Sequence, residues 1–361
     1  MSGPRIVVDL AKIEHNTRVL VDRLAPAGIR VTGVTKATLG RRDVGAAMLR
    51  GGAVGLADSR VPNLVHLAGL TGPDGPVRRT LIRSPMLSQV EEVVRSATCS
   101  LNTEAAVLLG LNDAAARTGR VHDVVLMVEL GDLREGIAVG DLPDAVRQVL
   151  RHPSLLLVGI GANLACQSGV VPDGVNMGVL SELATRAEAE HGIVLTTVSG
   201  GNSANLAWAA TAHDVGRVND LRLGEAILLG VDPLSRAPIE DLHLDAFVLT
   251  AEIIEVGEKP ARPWGERGQA AYGAVARAPA RTGTVRQAIL ALGRQDVDPG
   301  GLVPPAGITV LGASSDHLVL DLGDHDAAVG DEVAFGVGYG ALVRAMTSPF
   351  VTPSASVPCP A

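Results

Sequence analysis

Aromatic side chains are nearly missing from this sequence: two Trp, two Tyr and three Phe make up 2% of 361 residues. Stacking platforms for single-stranded nucleic acid are therefore in short supply. The apolar fraction of 47% rests on Ala, Val, Leu and Ile, so a core must come from branched aliphatics in regular elements. Positive charge is also in the minority, 31 Lys+Arg against 39 Asp+Glu for a formal net charge of −8, which argues against nucleic acid as a partner. The three cysteines, Cys99, Cys166 and Cys359, are too scattered for a disulfide framework or for thiolate metal spacing. A reducing cytoplasm and no bound metal are expected. Long hydrophobic runs are absent as well. The longest, around Leu155–Ala162, falls far short of a membrane span, and Met1–Leu10 holds no apolar core of signal-peptide length.

What is present is alternation. Between residues 29 and 230 eight short β-branched runs, Ile29–Thr35, Ala53–Ala57, Arg79–Arg83, Ala97–Leu101, Asp123–Leu130, Leu155–Ala162, Val194–Ser199 and Asp220–Leu223, are separated by amphipathic stretches. Short apolar runs of this kind predict parallel strands buried on both faces. The intervening segments Asp43–Leu49, Ser88–Arg95, Thr103–Arg117, Asp141–Arg151 and Asn176–Glu190 read as helices. Ser88 with Glu91 fits a capping box, and Asp141 precedes a proline tolerated in the first turn. Eight strand–helix units predict a (β/α)8 TIM-type barrel over 10–242. A further helix, Lys12–Ala25, places Ile13, Leu20, Val21 and Leu24 on one face ahead of it.

After residue 243 the period changes. Ala246–Glu255, Gln287–Leu292, Ile308–Leu311, His317–Leu322 and Glu332–Val337 are short runs divided by Gly, Pro and Asp, which predicts a C-terminal mainly-β domain over 243–348. An N-terminal strand at 4–9 is expected to pair outside the barrel. The Pro-rich tail, 349–361, lacks a hydrophobic pattern and is expected to fray.

In barrels of this kind the chemistry sits at the C-terminal ends of the strands. Lysine is rare here, only Lys12, Lys36 and Lys259, and Lys36 falls at the end of the first barrel strand. A primary amine can lose its proton and form an imine, which a guanidinium cannot do; the alternative is a surface or ion-paired lysine. After strand seven comes SGGNS at 199–203, opening a helix at 204–210. Its glycines let backbone amides approach an anion, and Ser203 adds a hydroxyl, so the turn reads as a phosphate cradle or as a plain helix cap. An imine-forming lysine beside a phosphate cradle suits pyridoxal phosphate. Arg222 on strand eight reads as a partner for the pyridine nitrogen or as an ion-pair partner for Glu225 or Asp220. In the first role its permanent charge leaves that nitrogen unprotonated and favours simple proton exchange at Cα.

These residues resemble a known group. VTK at 34–36, ADSR at 57–60, LNTE at 101–104, ELGDLREG at 129–136, GIGANLAC at 159–166, SGGNSANL at 199–206 and LRLGEA at 221–226 are similar to the alanine racemase superfamily of fold-type III pyridoxal-phosphate enzymes, most of all its ornithine racemase-like branch. LGRQDVDP at 292–299, LGASSDHLVLD at 311–321 and YGALVRAMTS at 339–348 extend the resemblance over nearly the whole chain.

The resemblance implies a homodimeric amino-acid racemase with pyridoxal 5'-phosphate as cofactor and ornithine or a related amino acid as substrate. It implies Lys36 as cofactor lysine and catalytic base, and Arg134 beside the ring hydroxyl. Ser203 would bind the phosphate, Gly201, Asn202 and Gly224 would belong with Asn163 to the cofactor-binding set, Arg222 would face the pyridine nitrogen, and Tyr339 would touch the phosphate. Asn163 stands where alanine racemases carry a histidine. Those enzymes draw the opposite-face tyrosine from the partner's β-domain, whereas the block here reads GRQDVD; Asp296 and His317 are the candidates, with Arg294 better suited to a carboxylate. Asp296 reads equally well as turn chemistry. Asp58, Glu135, Glu225, Asp296 and Asp316 are possible partners for a substrate's distal ammonium. Gln167 and Arg294 lie in blocks read as the active-site rim. Competing readings are a non-catalytic cofactor carrier, a D-amino-acid lyase and a cofactor-free imine-forming aldolase.

Overall fold

The alternating runs form regular elements in the computed structural model, which describes residues 3–72, 75–273 and 283–355. The chain divides into two compact units, Ala11–His243 and Met1–Leu10 with Leu244–Ala361. Strand β1 (Arg5–Val8) belongs to the discontinuous unit. It is followed by α1 (Leu10–Leu24), which buries Ile13, Leu20 and Leu24 together with Asn16 and Thr17, while Val21 is half-buried.

The continuous unit then runs β2 (Arg30–Val34), α2 (Arg42–Arg50), β3 (Gly55–Asp58), α3 (Val61–His66), a small hairpin of β4 (Thr71–Gly72) and β5 (Gly75–Pro76), β6 (Arg78–Leu81), α4 (Val90–Ser96), β7 (Cys99–Asn102) and α5 (Ala105–Arg117). It continues β8 (His122–Met127), α6 (Leu142–Leu150), β9 (Leu155–Gly161), α7 (Gly174–His191), β10 (Thr197–Gly201), α8 (Leu206–Thr211), β11 (Asp220–Leu223) and α9 (Glu225–Leu229). Eight of these strands close a parallel barrel in the order β10-β11-β2-β3-β6-β7-β8-β9. Each strand expected from the sequence takes its place in it.

Every residue of β3, β7 and β11 is buried, because alternate side chains either fill the lumen or pack beneath the helices. Cys99, Leu101, Val125, Met127 and Val158 form one cluster of this core. The helices supply the outer layer through one apolar face. In α6, for example, Leu142, Val146 and Val149 are buried at four- and three-residue steps, each such side chain stabilising the fold by roughly 1.5–3 kcal/mol.

Two expected caps differ. The Ser88–Glu91 box does not form, because a tight turn over Leu87–Gln89 precedes α4 and makes Gln89 its N-cap, without a side-chain bond. Asp141 does precede α6, with proline in the first turn, but its carboxylate caps nothing. A full capping box is found instead at α7, where Asp173 accepts from the Val175 and Asn176 amides and Asn176 accepts from the Asp173 amide.

The discontinuous unit contains β12 (Phe247–Pro260), β13 (Thr284–Leu290), β14 (Leu302–Val303), β15 (Thr309–Ala313), β16 (Leu318–Asp321), β17 (Glu332–Val337), α10 (Tyr339–Thr347) and β18 (Thr352–Ala355). Its sheet runs β14-β17-β12-β13-β16-β15, with β1 antiparallel to β12 and parallel to β18. Along β12 alternate residues Phe247, Leu249, Ala251 and Ile253 enter the core beside Phe335, Leu290 and Leu320, the period-two signature of a sheet with one face packed.

The tail corrects an expectation. The segment 349–361 does not simply fray, since Thr352–Ala355 pairs along β1 with Ile6 opposite Pro353. This pairing is made by main-chain groups on the free edge of β1, and hydropathy does not register them. Residues 356–361, including Cys359, lie outside the described residues. Among the described residues no helix is long and apolar enough to cross a membrane.

Candidate functional site

The barrel order makes β10, β11 and β2 neighbours. Because the strands are parallel, the segments that follow them gather at one end. Lys36, the SGGNS turn and the Arg222–Glu225 corner thus come together from three distant parts of the sequence.

Lys36 begins a single tight turn, Lys36–Thr38, directly after β2. The turn is held from both sides. Thr35, fully buried, donates its hydroxyl to Asp58 Oδ2 at 2.8 Å, and its carbonyl accepts from the Thr38 amide and hydroxyl, both at 2.9 Å. Asp58 in turn accepts from the Arg60 amide and from Asn63 Nδ2. Gly40 closes the turn at φ 64°, where a Cβ would lie 2.5 Å from the Asn63 carbonyl oxygen; only glycine fits. The lysine is exposed at this fixed corner. Its charge is felt by Glu225, whose carboxyl is pushed up by burial and pulled back by Arg236, its ion-pair partner, and by Lys36.

At the end of β10, Gly201 has φ 144°, and a Cβ there would fall 2.3 Å from Asn205 Oδ1. Asn202 caps the short turn Ser203–Asn205, which precedes α8 in place of an immediate α-helix. Its amide donates to the Leu164 carbonyl at 2.8 Å and to Asn163 Oδ1 at 3.2 Å, tying this loop to the one after β9. The buried Asn163 Nδ2 has no acceptor among the described residues. Ser203 is buried and its oxygen accepts from the Ala226 amide at 3.2 Å, which leaves the hydroxyl hydrogen to donate elsewhere. Gly224 caps α9.

Arg222 lies inside the barrel. It donates to the Ser199 hydroxyl and, at 2.8 Å, to the Ala162 carbonyl. Burial pulls its pKa down, and Asp220 is the foremost charge opposing that pull. Neither carboxylate suggested by the sequence pairs with it directly: Asp220 reaches it through Ser199, and Glu225 pairs with Arg236.

Arg134, in the loop after β8, forms a two-pronged ion pair with Glu135, which pushes the guanidinium pKa up, and the Cys166 thiol lies close by. That loop is anchored by the buried Asp132, which accepts from the Gln167 and Ser168 amides at 3.0 Å. Sequence reasoning named Asp220 as a possible direct ion-pair partner of Arg222 and Ser199 as the first residue of the SGGNS turn, but not the hydroxyl bridge that joins them. The signal for Asp220 was available, since a charged residue two positions before Arg222 in a buried strand must share its face.

The remaining candidates belong to the discontinuous unit. Tyr339 opens α10 and is half-buried. Asp296 is buried, with Oδ2 accepting from the Gly293 amide at 2.9 Å and Oδ1 from the Ser348 hydroxyl at 3.2 Å; this is the geometry of a turn brace. His317 is exposed on the turn between β15 and β16, where its main chain closes onto Ser314. Arg294 lies 5.0 Å over the Tyr272 ring and donates to the Ala313 carbonyl. Asp316 accepts from Gln295.

A phosphorylated pyridine aldehyde fits the barrel end. The loops at that end carry a primary amine on a fixed backbone turn, a buried guanidinium, a seryl hydroxyl with its proton to spare and an orphaned buried amide donor. Among the described residues no three His, Cys, Asp or Glu side chains cluster as metal ligands.

Comparison with known proteins gives the following similarities. Residues 8–233 match the family "Alanine racemase, N-terminal domain". A lysine racemase of Thermotoga maritima is 36% identical over 97% of this chain and 98% of its own. An ornithine racemase of Acetoanaerobium sticklandii is 35% identical over 96% and 98% respectively. Among solved structures, an alanine racemase from Bartonella henselae with covalently bound pyridoxal phosphate superposes with a TM-score of 0.72 at 16% identity, covering 99% of this chain and 100% of that one.

Proposed function

The chain belongs to the alanine racemase family and is a pyridoxal-phosphate-dependent amino-acid racemase, and from that premise we propose that it interconverts the enantiomers of a basic amino acid such as ornithine or lysine. The observation that carries this reading is the similarity, at 35–36% identity and nearly full length, to an ornithine and a lysine racemase.

When bound, the cofactor supplies an electron-withdrawing ring that acidifies the substrate's Cα–H. In this reading Lys36 Nζ holds the cofactor and afterwards removes or returns the Cα proton on one face. Thr35 and Asp58 fix the backbone from which it reaches. Ser203, with the backbone of Gly201, Asn202 and Gly224, binds the phosphate; Asn163 and Arg134 bind beside the ring; Arg222 presents its charge to the ring nitrogen; Tyr339 adds a phosphate contact.

The opposite face needs a second proton carrier. His317 is the better suited of the two candidates, because both Asp296 oxygens already serve the chain's own donors. The reading includes a cytoplasmic homodimer in which a second copy supplies that group. All five acids available for a distal ammonium are bonded within the chain; Asp58 and Asp296 are also buried, whereas Glu135, Glu225 and Asp316, bonded to Arg134, Arg236 and Gln295, are less so and are the better candidates.

The test is incubation of the holoenzyme with L-ornithine, L-lysine, L-alanine and L-serine in deuterated water, following loss of the Cα proton by NMR and chirality by chromatography. Exchange with inversion, fastest for ornithine or lysine, is expected. Inversion of alanine or serine with no exchange of either basic amino acid would overturn the substrate class.

A further inference from the structure

A buried guanidinium is costly unless a negative charge and hydrogen bonds compensate it. Arg222 has such a partner without touching it. Asp220 lies two residues earlier on β11 and on the same face of the strand. Between them stands Ser199 of β10, whose hydroxyl donates to Asp220 Oδ2 at 2.6 Å and accepts from Arg222 Nη1.

The direction of this bridge is forced. A guanidinium can only donate and a carboxylate only accept, so the hydroxyl between them has one orientation that satisfies both. The other carboxylate oxygen, Oδ1, accepts from the Thr32 hydroxyl at 2.7 Å, and Thr32 is the register partner of Arg222 across β2 and β11. Both oxygens of Asp220 thus accept hydrogen bonds from neighbouring strands. Deeper in the barrel lies a second, half-buried arginine, Arg78, bonded to Thr197 and Cys99 and within the fields of Asp123 and Asp220.

The geometry points to Asp220, acting through Ser199, as a positioning residue that fixes Arg222 as a charged donor aimed at the cofactor's ring nitrogen. The inference rests on the proposed place of Arg222 at that nitrogen. It adds that the arginine alone is insufficient. Removing the carboxylate or the hydroxyl frees the guanidinium to turn away, and the ring loses the charge that keeps its nitrogen unprotonated.

Two measurements test this. In the full-length chain without added cofactor, Asp220→Asn, Arg222→Gln and the double variant form a cycle read by denaturant midpoint. The double variant is expected to lose less than the two single losses added together; an additive cycle overturns the inference. In the holoenzyme, the visible absorption band of the bound cofactor is compared among Asp220→Asn, Ser199→Ala and Arg222→Gln. Ser199→Ala removes a single oxygen and serves should Asp220→Asn fail to fold. A shift in the same direction in all three is expected. A band that moves in Arg222→Gln alone overturns the inference and leaves the place of Arg222 intact. A band unmoved in all three removes Arg222 from the ring, and the inference with it.

Discussion

Thr35 and Asp58 are joined by a 2.8 Å hydrogen bond between two residues wholly withdrawn from solvent, one position before Lys36. The bond holds the lysine's backbone to the neighbouring strand. Burial is the leading influence on the Asp58 carboxyl and pushes its pKa up, against the bonds from Thr35, Asn63 and Arg60. The folded state thus binds this proton more tightly than the unfolded one, so stability falls as pH rises from about 4 through the raised value. Asp58→Asn keeps the shape and the Oδ1 acceptor, and Thr35 can turn to the Ala57 carbonyl, 3.4 Å away. Urea unfolding of the variant is expected to show a shallower loss over that window. Asp58→Ala, which strands the Arg60 amide and Asn63 Nδ2, is expected to cost about 2–4 kcal/mol.

At the opposite end of the barrel strands, His122 shows the converse pH behaviour. Burial holds its pKa down at about 4, and its Nε2 is 2.9 Å from the Ser100 hydroxyl. Below the ordinary histidine range the unfolded chain gains a proton that the folded chain refuses, so stability is lost as pH falls from 6.5 towards 4. The contribution is on the order of 3 kcal/mol. His122→Gln should flatten the acid limb of a stability profile measured by denaturant; an unchanged limb would contradict the assignment.

Lys36→Ala is expected to abolish both covalently held cofactor and turnover, the latter by about four orders of magnitude or more. Absorption after dialysis reads the first and isotope exchange the second. A spectrum identical to that of the parent enzyme would remove Lys36 from its role.

Asp296 and His317 should separate cleanly. Asp296→Ala is expected to lower stability by about 1–3 kcal/mol, since it strands the Gly293 amide and the Ser348 hydroxyl. Proton exchange per folded molecule should survive. His317→Ala is expected to fold normally and to slow inversion by roughly 10²–10⁴. The reverse pattern would make Asp296 the proton carrier.

The parts of the site that are visible in the sequence are those with one unusual residue at the end of an apolar run. Lys36 is conspicuous because lysine is rare and β2 stops beside it, and SGGNS because its glycines interrupt a β-branched run. The barrel strands are visible because most of their residues are apolar and buried, as in β9, where Leu156 alone is exposed. The Ser199 bridge is not visible in this way. It depends on which residues of β10 and β11 stand opposite one another, and that register shifts between Ser199 and Gly201. Asp296 was ambiguous on physical grounds, because an acid in a Gly-rich turn has the same sequence whether it braces the turn or moves a proton. The tail was opaque because edge pairing belongs to the backbone.

The pairing of β1 with β12 and β18 has a consequence for synthesis. Residues 5–8 are synthesised long before their partners, 247–250 and 352–355. At the usual 5–20 residues per second, the opening strand waits roughly 20–70 s for its last neighbour. The continuous unit, Ala11–His243, is complete in the chain well before that and can fold while the ribosome is still elongating. Truncation of the final ten residues should therefore yield a protein whose barrel is closed but whose first strand has an open flank, a ready template for association between copies.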